Sequence, residues 1–145
     1  MGLFSLFKSK PQPFESVLND AFAAAIESNY PQFRSEVQAV LSDPEFALLD
    51  RETRSESAYE VRAKYINSIV ATLQREFFTH NKEAELRFGM AMAFPASAGV
   101  PDDAVPSIQL FYCLFHYALT GKPVKWDDAR RWEDLWAMYV RKAIQ

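Results

Sequence analysis

An all-α bundle of five to seven helices, with a buried central helix near residues 107–120, is what this sequence predicts. Apolar residues recur every three or four positions through several long segments, the period of one helix face. The prolines, Pro11, Pro13, Pro31, Pro44, Pro95, Pro101, Pro106 and Pro123, fall between those segments, where proline punctuates helices. Glycine is scarce, so proline marks most of the breaks.

The first helix is predicted over about 13–28, where Phe14, Val17, Leu18, Ala21, Phe22, Ala25 and Ile26 share a face. Asn29-Tyr30-Pro31 ends it, and Pro31 suits the first turn of a second helix, where its missing N–H costs nothing. That helix is expected to bury Phe33, Val37, Val40 and Leu41. Asp43-Pro44-Glu45 reads as an N-cap, a proline at the first position and an acid in the first turn of a short helix carrying Phe46, Leu48 and Leu49.

The longest helix is predicted over 55–80. Ala58, Ile66, Ile69, Leu73 and Phe77 project onto one face with Tyr65, and Arg62 falls inside it. Phe78 projects opposite that face, so it either packs on another element or is exposed. Leu86, Phe88, Met90, Met92 and Phe94 alternate as a strand would, yet Ala and Met are good helix formers and 83–87 resembles a first helical turn. Helix is the preferred reading. The alternative is an α+β fold in which 86–94 pairs with 108–114 as a hairpin.

Residues 94–106 read as a long loop with three prolines, a length often associated with function. The segment 107–120 is apolar almost all round, as a helix at the centre of a bundle must be, and Gly121 fits its C-cap. The last helix is predicted over 127–143, its face formed by Ala129, Trp132, Leu135, Trp136, Tyr139, Val140 and Ala143. The helices at 55–80 and 127–143 are expected to pack on the central one.

At 145 residues the chain is one domain by length, here 13–145 preceded by a short segment, 1–12. Net charge is −3 with the 16 Lys and Arg dispersed, which argues against nucleic acid, since its phosphates demand clustered cations. No signal peptide or membrane-spanning run is legible, and the single cysteine, Cys113, cannot form an internal disulfide. A cytoplasmic address follows as the expectation. Leu3, Phe4, Leu6 and Phe7, followed by Lys8 and Lys10, could lie at a membrane interface; a segment docked on the core or loosely ordered is the preferred alternative.

Two constellations bear on function. Gln109, Tyr112, Cys113, His116 and Thr120 form one narrow polar strip on the central helix, with Cys113 and His116 one turn apart as a candidate nucleophile and base. Arg62 could join them as a ligand grip, or could carry its head to water. No third group orients the base, so a strip of solvent contact, or core polar groups hydrogen-bonded to neighbouring backbone, is the favoured reading. No metal set and no cofactor motif is legible, because zinc wants four donors and the only other histidine is His80.

The second is the acidic stretch 43–60, where Asp43, Glu45, Asp50, Glu52, Glu56 and Glu60 face only Arg51 and Arg54. It suits a basic partner or, more plainly, acids placed at helix starts. The expected function is a non-enzymatic protein-binding domain, in the manner of a small bacterial immunity protein or adaptor. It would engage its partner through 43–60, the loop 94–106, or both. A small-ligand binder or enzyme built on the polar strip is the alternative.

Overall fold

Side-chain oxygens open four of the helices. Asp43 accepts from the Glu45 amide at 2.9 Å, Asp50 from Thr53 at 2.8 Å, Asn81 from Ala84 at 3.1 Å and Ser107 from Leu110 at 3.2 Å. Each satisfies an amide that the first helical turn leaves without an internal partner.

The structure is a computed structural model that describes residues 14–145. Its helices are α1 (Phe14–Ser28), α2 (Tyr30–Ser42), α3 (Pro44–Leu48), α4 (Arg51–Phe77), α5 (Lys82–Ala93), α6 (Ile108–Thr120) and α7 (Arg130–Ile144). Short 3-10 turns, Pro95–Ala98 and Trp126–Ala129, precede α6 and α7. Among the described residues there is no strand. Both 86–94 and 108–114 are helical, so the hairpin alternative is set aside. The segment 1–12 and the membrane-interface reading of residues 3–10 lie outside the described residues.

Helix α6 is the centre. Ten of its thirteen residues are buried. Leu18, Phe22 and Ile26 of α1, Ala84, Phe88 and Ala91 of α5, and Trp132 and Trp136 of α7 belong to the same core. Phe115 links two aromatic groups, with Phe22 at 6.4 Å on one side and Phe88 at 4.8 Å and Phe78 at 5.3 Å on the other. Phe22, Tyr112 and Trp132 pack together at 5.0–5.3 Å. Phe78, just beyond α4, is thereby buried on α5 and α6.

The long helix α4 departs from expectation in two ways. It starts at Arg51, not 55, because Asp50 caps it and supplies the start signal four residues earlier. It packs chiefly on α1 and α2, and touches α6 only at a fringe. Tyr65 holds it there, stacking on Phe33 at 4.4 Å and donating to the Ile26 carbonyl at 2.6 Å. Leu41 and Ala58 also turn out exposed, lining a cleft with Phe46 of α3.

The loop between α5 and α6 is fastened down. Ala98 and Val100 are buried, and Gly99 adopts φ +86°. A Cβ on Gly99 would meet the Val124 carbonyl oxygen, so this position requires glycine both for its left-handed backbone and for the close approach. Gly121, at φ +74°, caps α6 by donating to the Tyr117 carbonyl at 2.8 Å, as its sequence position predicts.

Candidate functional site

The polar strip of α6 lies inward, and its members are occupied by their own fold. Gln109 donates through Nε2 to the Trp126 carbonyl at 2.7 Å, and its amide donates to Glu133 at 3.3 Å. These bonds fix the 3-10 turn before α7 to the start of α6. Tyr112 donates to Asn19 Oδ1 at 2.6 Å, which ties α6 to α1. His116 Nδ1 lies 3.0 Å from the Lys122 carbonyl; a carbonyl only accepts, so Nδ1 carries the proton. Its Nε2 faces Glu15 Oε2 at 3.7 Å. Thr120 donates back to the His116 carbonyl at 2.6 Å, the usual resting bond of a helical threonine.

Cys113 is fully buried, and burial alone pushes its thiol up to about 12. Such a thiol supplies almost no thiolate near neutral pH. Both ring nitrogens of His116 point at the Lys122 carbonyl and Glu15, not at this sulfur. Arg62 does not join the strip. It is exposed and borders two surface clefts. One, of about 150 Å³, lies between α2, α3, α4 and α7 among Phe33, Val37, Val40 and Val61. The other, of about 320 Å³, lies between α4, α6 and α7 beside Phe111 and Trp136. The arginine thus follows the water-seeking alternative. Among the described residues no three His, Cys, Asp or Glu side chains gather as a metal site would need.

The acidic stretch divides into two kinds of residue. Asp43 and Asp50 are helix caps, and the Thr53 amide holds the Asp50 carboxyl below the usual aspartate range. Glu45 and Glu52 sit in first turns, where the helix dipole favours a negative charge. Glu52, Glu56 and Glu60 follow one another at single-turn spacing down an exposed side of α4 with Tyr59 beside them. None of these acids takes part in an ion pair found among the described residues.

A further surface escapes the sequence reading. On α5 only Ala84, Phe88 and Ala91 are buried. Leu86 is 70% exposed, Met90 60%, Met92 50% and Phe94, at the helix end, 68%. Leu86, Met90 and Phe94 succeed one another at four-residue intervals and form a stripe on the side away from α6. Ion pairs bound it at its N-terminal end: Glu83 with Arg87, and Lys82 with Glu85 at 3.8 Å. The signal was present in the alternating pattern. Five alternating apolar residues cannot share one helix face, so reading 86–94 as helix already puts most of them outside.

No helix of the described residues is long and apolar enough to cross a membrane. Compared with protein-family models, curated proteins and solved structures, the chain has no match in any of the three.

Proposed function

We propose that the protein is a non-enzymatic binding domain, an adaptor or immunity-type protein, that receives a partner protein on the outer face of α5. The observation that carries this reading is the exposure of Leu86, Met90 and Phe94, spaced four residues apart along one helix and its end. A contiguous apolar patch on a folded domain commonly marks a contact surface. Burying such side chains stabilises by roughly 1.5–3 kcal/mol each, before the costs of association are subtracted. Methionines add adaptability, because their unbranched side chains conform to different partner shapes.

The test is affinity capture from the native cell, comparing the unaltered chain with Leu86→Glu and Met90→Glu. A partner retained by the first and lost with both substitutions supports the reading. Equal retention overturns it. The stripe Glu52, Glu56 and Glu60 favours a second reading, in which a basic partner lies along α4. Like charges one turn apart cost about 0.2–0.5 kcal/mol per pair, and no ion pair among the described residues relieves them. Loss of capture with Glu56→Lys and Glu60→Lys, but not with the α5 substitutions, would select that reading.

A further inference from the structure

We propose that the apolar cleft between α2, α3, α4 and α7 binds the alkyl chain of a medium-chain fatty acid, with Arg62 pairing its carboxylate. The proposal is independent of the partner surface on α5.

The walls select for hydrocarbon. Phe33, Val37 and Val40 of α2, Phe46 of α3, Val61 of α4 and Val140 of α7 surround about 150 Å³. A dry apolar space of that size takes a body of about six carbons. Leu41 and Ile144 also line the cleft, yet remain 47% and 58% exposed. A chain laid across them removes apolar area from water that the fold alone leaves wet. Helix α3 has five residues and none of them is buried. So weakly packed a wall can shift to admit a chain without disturbing the core.

Arg62 sets the sign of the ligand's charge. Among the described residues it is the one charged side chain that lines this cleft. It takes part in no ion pair found among them. Its neighbours three and four positions away on α4, Ala58, Tyr59, Tyr65 and Ile66, include no acid. Glu133, which borders the second cleft with it, accepts from the Gln109 amide at 3.3 Å instead. A guanidinium in that setting matches a planar carboxylate, which it can hold through two parallel hydrogen bonds. A hydrocarbon cleft with a single cation beside it is therefore complementary to a single-chain anion at both ends.

Val37, Val40, Val61 and Val140 all line the cleft, so valine-methyl NMR of the full chain reads the site directly. Octanoate is the probe, with butanoate, decanoate and 1-octanol beside it. Octanoate is expected to shift those four valines and to leave Val100 and Val124, which do not line the cleft, in place. Affinity should rise by up to about fourfold per methylene from butanoate to octanoate, then flatten as the cleft fills. Arg62→Gln should weaken octanoate about fivefold and leave 1-octanol unchanged. Arg62 is exposed, so the variant should fold as the parent does, and its methyl spectrum without ligand checks that. Octanoate that moves none of the four valines, or moves Val100 and Val124 equally, would overturn the proposal. So would 1-octanol binding as tightly as octanoate, or an Arg62→Gln variant that binds octanoate like the parent. Cleft methyls that shift on dilution of the protein alone would make a second copy the occupant, and the proposal would fall.

Discussion

Tyr112 donates its hydroxyl proton to Asn19 Oδ1 at 2.6 Å, a bond between α6 and α1 across 93 residues of sequence. Burial raises the Tyr112 hydroxyl above its ordinary value. Tyr112→Phe keeps the ring packing on Phe22 and Trp132 and removes only this bond. The expected loss is about 1 kcal/mol, the usual net worth of one such hydrogen bond. Denaturant unfolding of the two proteins checks it, and a loss no larger than error would mean that Asn19 finds water instead.

Cys113 should resist alkylation. With its thiol pushed up to about 12, reaction near pH 8 should proceed at the rate of global or local opening and become fast only in denaturant. The linkage has a definite sign. A folded value above the unfolded one means that the folded state holds its proton longer. Stability is then complete below the unfolded value of 9.0 and falls as pH rises from there toward 12. Cys113→Ala should flatten that alkaline decline in a pH series of melts.

Gly99→Ala should destabilise by about 1–3 kcal/mol, because it forces a side chain into the left-handed region. It also presses a methyl group against the Val124 carbonyl. Gly89→Ala is its control, since nothing lies near a Cβ there; helix propensity should make it stabilising by up to about 1 kcal/mol. Thermal melts of the pair distinguish the two sites, and equal effects would contradict the geometry.

The acids of 43–60 should separate by role. Asp43→Ala removes a cap and should cost about 1 kcal/mol; Asp50→Ala removes the cap of α4 and should lower the melting temperature. Glu56→Lys replaces two repulsions at one-turn spacing with two attractions and should raise stability by a few tenths of a kcal/mol. Because the folded value of Asp50 lies below its ordinary 3.8, its contribution is present above that pH and fades as pH falls through the folded value. Asp50→Asn keeps the cap and loses the titration, so its acid-melting curve should be flatter at the low end.

The fold was legible where one face is apolar and the rest polar. Trp132 and Trp136 are buried as the period of α7 requires, and ten buried residues follow from the all-round apolar run of α6. Partners were less legible than faces. Period alone shows which side of α4 is apolar, but not that Tyr65 would carry that side to Phe33 and Ile26, leaving α6 to α1, α5 and α7. The strip on α6 was visible as a set, yet the groups that occupy it, Asn19, Trp126 and the Lys122 carbonyl, are distant in sequence or belong to the backbone. Arg62 falls on an apolar projection, yet it is exposed at the border of two clefts. The outer face of α5 is not legible from period alone, because strand-like alternation does not show how many apolar residues one helix can hide.

The two ring groups that meet at Phe115 differ in how much chain must be gathered to form them. Phe78 and Phe88 come from the segment immediately before α6, whereas Phe22 arrives from more than ninety positions upstream. Closing the longer loop costs more entropy and comes with non-local contacts, which are slower to establish. Native-state hydrogen exchange should therefore find the opening that frees α1 and α2 at lower denaturant than the one that breaks α5 from α6. The protein would then own an intermediate in which its second half keeps its shape while its first half has let go.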